Sequence, residues 1–126
     1  MTPDIPSNAT ITFPAGLPGF ESCRRYVLLQ SDEFAPGVCL KGLEGAAPTF
    51  FLVDPRLVES SVDCHLSSAD AARIGAAPHD ALRCVWLAIV SPAASGPHVN
   101  VHAPVVINPA TMYGMQVLPA EAGCLS

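Results

Sequence analysis

Cys64 and His65 stand side by side, and a thiol next to an imidazole is the pairing from which metal sites and thiol nucleophiles are built. A structural zinc site takes four ligands, usually in two close pairs. The other cysteines, Cys23, Cys39, Cys84 and Cys124, lie far apart in the chain, with no C-x-x-C anywhere. A nucleophilic cysteine needs a thiolate-stabilising setting and a base placed in space, and nothing in the spacing singles one out. The simpler reading of Cys64-His65 is a strand histidine beside a buried cysteine. Carboxylates offer no better catalytic pair. Asp54 precedes Pro55 at a strand end, where Asp is common as a turn former. Glu44 lies beyond Gly42-Leu43 and before Gly45, where a solvated turn acid is expected. Gly16-Leu17-Pro18-Gly19 lacks the spacing of a phosphate-cradling loop and carries a proline where a backbone donor is wanted.

The elements that would hold these residues are short and apolar. Half of the 126 residues are hydrophobic and 13% are charged, about half the usual share. Disorder is therefore not expected. No apolar run reaches the ~18–20 residues of a membrane span, and Met1-Thr2-Pro3-Asp4 does not open a secretory signal. Five cysteines in no framework spacing suit a reducing compartment, so a cytoplasmic location is expected. Six basic against eleven acidic residues give a net charge of −5, which speaks against direct nucleic-acid binding and suits a basic protein partner.

Phe13 to Glu21 alternates prolines and glycines with large apolar side chains. It reads as a rigid turn pinned to a core by Phe13, Leu17 and Phe20. Strands are expected at Ala9–Phe13, Arg25–Gln30, Gly37–Lys41, Thr49–Val53, Ser61–Leu66, Arg83–Val90, His98–Ala103, Val105–Ile107 and Met115–Leu118. Ser67-Ser68-Ala69-Asp70 carries the signature of a helix start, and Gly75 and Pro78 keep that helix short. Phe13, Phe20, Phe50, Phe51 and Trp86 are expected in the core. The fold class is all-β: a small antiparallel β-barrel-like domain with one short helix. It is read as one domain over residues 1–126, with 1–8 as a loose lead-in and 119–126 as a short tail.

Five blocks in order resemble one family. Phe13-Pro14-Ala15-Gly16-Leu17-Pro18-Gly19-Phe20-Glu21, followed by Tyr26-Val27-Leu28, is similar to the opening signature of the flagellar assembly factor FliW family. Leu40-Lys41-Gly42-Leu43-Glu44, Pro48 and Phe51-Leu52-Val53-Asp54-Pro55 resemble its second block, and Ala88-Ile89-Val90 its third. Asn100 to Asn108 and Gly114-Met115-Gln116-Val117 resemble its closing pattern. The resemblance implies a non-catalytic β-barrel regulator without cofactor. Such a protein binds the carbon storage regulator CsrA, relieving repression of flagellin mRNA translation, and binds flagellin as the competing partner. Charge and hydropathy leave no direct contact with nucleic acid or membrane expected. Turn acids and apolar turn residues cluster in the matched blocks, so Phe20, Glu21, Leu43, Glu44 and Asp54 are the expected partner contacts. Lys41-Gly42 and the uncharged Pro109–Tyr113 depart from the family's usual residues. A ligand-binding or thiol-dependent small β-barrel using Cys64 and His65 is the alternative.

Overall fold

The computed structural model describes residues 5–6, 8–17, 20–33, 37–44, 49–58, 66–77, 83–91, 96, 98–101 and 103–117. Short segments rich in β-branched and aromatic residues produce the strands, some alternating and some apolar throughout. β1 is Ala9–Thr12, β2 Arg25–Leu29, β3 Val38–Gly42, β4 Thr49–Val53, β5 Val85–Ser91, β6 His98–Val99, β7 Val105–Asn108 and β8 Tyr113–Gln116. In β2, Tyr26 and Leu28 are fully buried while Arg25 is exposed and Val27 half-buried, as a period of two dictates. Most bounds lie within two residues of the sequence expectation, and Thr49–Val53 coincides with it.

Consecutive strands pair antiparallel from β1 to β5, then β5 with β7 and β7 with β8. β6 is not a separate stave. Val90 pairs with Phe51 of β4 on one edge and with Val99 of β6 on the other, so β6 lies on the edge that β7 also uses. β6 and β7 are thus one stave broken at Asn100–Pro104, and the ring has seven positions. The His98–Ala103 expectation accordingly shortens to His98–Val99, with the Val101 amide turning back to the Val99 carbonyl.

An odd ring cannot alternate direction all the way round. One seam must be parallel, and it is the β1–β8 junction, joined at the single register pair Thr12↔Tyr113. The strands overlap there only at their ends, which leaves β8 beyond Tyr113 without β1 beside it. The turn after β1 fills that place. Phe13 is fully buried, and a Cβ on Gly114 would lie 3.0 Å from its ring. Closure with the barrel interior packed around Phe13, Tyr26, Leu40, Leu52 and Val105 bears out the expected barrel with one helix.

A second apolar cluster lies outside the barrel wall. Val105 and Ile107 face inward, while Val106 faces outward beside its cross-strand neighbours Trp86 and Met115. The helix α1 (Ser68–Arg73) covers that outward row through Ala71, helped by Leu66 and Ile74. This is why every residue of β7 is buried. Ser67 caps α1 as expected, its hydroxyl accepting from the Asp70 amide at 3.1 Å. Asn108, the one buried polar residue among those described, donates its Nδ2 to the Ile74 carbonyl at 2.9 Å, and Thr111 Oγ1 donates to the same oxygen at 2.8 Å. The β7–β8 turn thereby holds the end of the helix.

Two aromatic assignments change. Phe51 is 38% exposed and Phe20 41% exposed, so neither belongs to the core. With Leu52 pointing inward, the strand period turns Phe51 outward between Cys39 and Val90. The last strand runs over Tyr113–Gln116, two residues earlier than Met115–Leu118, because Tyr113 makes the seam. Of the expected strand Ser61–Leu66, residues 61–65 lie outside the described residues; Leu66 is buried but in no strand.

Candidate protein-binding surface

The turn between β1 and β2 carries successive short-range hydrogen bonds. The Gly16 amide donates to Phe13 at 2.8 Å, Phe20 to Leu17 at 2.8 Å and Cys23 to Phe20 at 3.0 Å. Gly16 has φ of 69°, and the Glu21 backbone packs over it, 2.6 Å from where a Cβ would be. The path of the turn projects Phe20 over the mouth of the barrel. There its ring meets Phe50 edge-on, centroids 5.5 Å apart. Phe50 leans on Tyr26 at 6.1 Å, and Tyr26 on Phe13 at 5.3 Å. Four aromatic rings therefore run from the seam to the surface, and the outermost is the one left open to solvent.

Tyr26 sits fully buried in this stack, its hydroxyl without a hydrogen-bond partner among the described residues. Burial above all, and then the neighbouring Cys23 thiol, push its phenol well above the usual tyrosine range. That thiol is turned to the Arg25 carbonyl, 3.5 Å away.

The register places four of the five expected contact residues at one end. Thr12 pairs with Arg25, Tyr26 with Gly42 and Lys41 with Thr49, so the β1–β2 turn, the start of β2 and the end of β3 share a rim. Phe20, Glu21, Leu43 and Glu44 lie on it. Leu43 is 48% exposed, and its amide donates to the Arg25 carbonyl at 2.9 Å. Asp54 is elsewhere, past the far end of β4 from Thr49 and so at the opposite end of the barrel.

Glu44 is not the solvated acid that turn position alone suggests, whereas Asp54 is the turn former that its place before Pro55 suggests. Glu44 Oε1 accepts from the Arg24 amide at 2.7 Å and the Arg25 amide at 3.0 Å, tying the end of β3 to the start of β2. Its Oε2 stands 3.6 Å from the Arg25 guanidinium. The two amides, first Arg24 and then Arg25, hold its carboxyl below the usual range. Asp54 caps the short 3-10 turn Pro55–Leu57, accepting from the Arg56 amide at 2.9 Å and from the Arg56 guanidinium at 2.9 and 3.0 Å. Partial burial works to raise its carboxyl, but the Arg56 bonds and charge outweigh this and hold it below the usual range.

A depressed carboxyl stabilises the fold above the ordinary glutamate range, and that contribution is lost as pH falls through the depressed value. Glu44→Gln keeps the shape and discards the charge. Its melting temperature is expected to fall less than that of the unmodified chain between neutral pH and pH about 3. Parallel melting curves for the two proteins across that range would contradict the assigned role of Glu44.

The register also gathers residues that no motif marks. Arg24, Arg25 and Lys41 are exposed on this rim and make up half of the chain's six basic residues. In sequence they look scattered. A β2–β3 hairpin read from residues 25–30 and 37–41 was the one signal that could have placed Arg25 near Lys41. Two other exposed apolar residues, Leu57 and Val58, end the 3-10 turn at the other end of the barrel. Cys64 and His65 lie outside the described residues. Among those described, no group of histidines, cysteines and acids is placed to hold a metal, and no helix is long and apolar enough to cross a membrane.

A profile described as FliW protein matches residues 2–123. The chain belongs to the FliW family. It is 33% identical over 127 residues to the flagellar assembly factor FliW of Azoarcus sp. (strain BH72), covering 96% of this chain and 87% of the relative. The flagellar assembly factor FliW of Thermotoga maritima is 29% identical over 116 residues, covering 91% and 78%. A crystal structure of the flagellar assembly factor FliW superposes with a TM-score of 0.77 at 25% identity, over 93% of this chain and 81% of that one. In this FliW-family chain the opening signature is thus the turn that seals the barrel seam and presents Phe20.

Proposed function

We propose that this chain is a non-catalytic, cytoplasmic regulator of flagellar assembly that works by binding proteins. In this reading it binds the translational repressor CsrA, relieves repression of flagellin mRNA translation, and is drawn off by flagellin as the competing partner. Membership of a family of flagellar assembly factors carries the reading. The surface is consistent with it: Phe20 and Leu43 offer large apolar side chains to solvent at one end of a closed barrel. Of the expected contacts, Phe20, Leu43 and Glu21 are those exposed to a partner. Glu44 and Asp54 act as braces that fix the loops carrying them. A partner switch of this kind requires that the two complexes exclude one another.

Co-purification of the tagged chain with CsrA and with flagellin from the same cell, at several salt concentrations, tests the proposal. Each complex is expected at low salt, and added flagellin is expected to displace CsrA. Failure to retain either protein at low salt would overturn it.

A further inference from the structure

The chain carries a net charge of −5, yet the rim around Phe20 and Leu43 is not acidic. It brings three cations, Arg24, Arg25 and Lys41, against two carboxylates, Glu21 and Glu44. The rest of the chain holds the other three cations against nine carboxylates. One of the two rim carboxylates, Glu44, already accepts from two backbone amides and faces Arg25. Arg25 and Leu43 lie directly opposite on the outer face, and Lys41 is the next outward residue on the same strand. Phe20 is backed by a rigid aromatic stack, so little side-chain freedom is lost when something packs on it. Aromatic and arginine side chains in such a setting are the usual anchors of a protein interface.

We infer that this rim is the docking surface for an acidic segment of a partner protein that also carries large apolar side chains. Phe20 and Leu43 receive the apolar groups, and Arg24 and Lys41 supply the counter-charges, Arg25 being held by Glu44. A basic partner is attracted by the net charge of the whole chain, but not by this rim. The inference concerns the chemistry of the segment and holds whichever protein supplies it, so it stands or falls separately from the co-purification above.

The test uses two synthetic peptides, one of leucines interspersed with glutamates and its isomer with lysines, followed by amide chemical shifts of the whole chain. The glutamate peptide is expected to shift Phe20, Arg24, Lys41 and Leu43, and its affinity to weaken as salt rises. Arg24→Glu combined with Lys41→Glu is expected to cut that affinity at least about tenfold, while Leu57→Ser leaves it unchanged. Both substituted cations are exposed, and thermal melting checks that the double variant folds. No binding of the glutamate peptide, equal binding of the lysine isomer, or shifts centred on Leu57 and Val58 would each overturn the assignment. Should the double variant not fold, the choice between the two peptides by the unmodified chain still decides.

Discussion

Phe13→Ala is expected to cost about 3–5 kcal/mol of stability, the usual range for emptying a large aromatic site in a core. The ring is fully buried and stands edge-on to Tyr26 at 5.3 Å. Its position makes the loss hard to recover. β1 and β8 meet at one register pair, so the ring stands where the next rungs of a ladder would be. A neighbouring strand could relax into a cavity inside a full ladder, but here the nearest backbone belongs to the seam itself. Gly114 marks the fit: a Cβ there would lie 3.0 and 3.1 Å from the Phe13 ring and 3.2 Å from Ile107. Gly114→Ala is therefore expected to be destabilising with Phe13 present and much less so beside Phe13→Leu, the sign of direct coupling. Denaturant midpoints of the single and double variants measure both effects. A loss below about 1 kcal/mol for Phe13→Ala would show that the seam is held by something other than this ring.

The signature blocks acquire a common physical meaning from this seam. Phe13 opens the first block and Gly114 belongs to the last, and the two are packed against each other across the closure. Glu44, from the second block, ties the end of β3 to the two amides that follow the first turn. Residues far apart in sequence thus serve one end of one barrel. The motif that identifies the family is foremost a closure device, and Phe20 is the large apolar side chain that it leaves facing outward among the described residues.

How much of this was legible in the sequence depended on the range of the interaction. Strand identity is local, and the β-branched and aromatic content of Thr49–Val53 or Arg25–Leu29 was enough to find it. So was the Ser67 cap, whose partner is three residues away. The direction of the seam was not local. It follows from an odd count of staves, and the count is right only once His98–Val99 and Val105–Asn108 are known to share one edge of β5. Phe51 was misplaced because the apolar run of four, Phe50 to Val53, hides its own alternation; which residue points outward is fixed by the partner strands. Glu44 read as a solvated acid because its donors, the Arg24 and Arg25 amides, lie some twenty residues upstream. The cationic rim was invisible for the same reason. Arg25 and Lys41 become neighbours only through the β2–β3 register.

Gly16→Ala is the second large effect expected, and it separates backbone strain from lost packing. The residue has φ of 69°, in the left-handed region where an alanine Cβ is disfavoured, a cost of order 1–3 kcal/mol. Space is the second obstacle. The new Cβ would lie 2.6 Å from the Glu21 Cα, 3.0 Å from the Glu21 carbonyl oxygen and 3.1 Å from its carbon. These are backbone atoms in a turn already closed by three internal hydrogen bonds, so no side chain can swing aside to make room. Together the two terms give an expected loss of about 2–4 kcal/mol, with the contact adding to the strain. Because Glu21 must move, Phe20 moves with it, so the variant should also weaken binding of the glutamate peptide at the rim. Gly16→Asn distinguishes the causes, since asparagine tolerates the left-handed region better but brings the same Cβ. If Gly16→Asn retains most of the stability that Gly16→Ala loses, strain dominates; if both lose it alike, the close approach of Glu21 does. An unchanged denaturation midpoint for Gly16→Ala would contradict both, and with them the account of the turn as a rigid clasp across the seam.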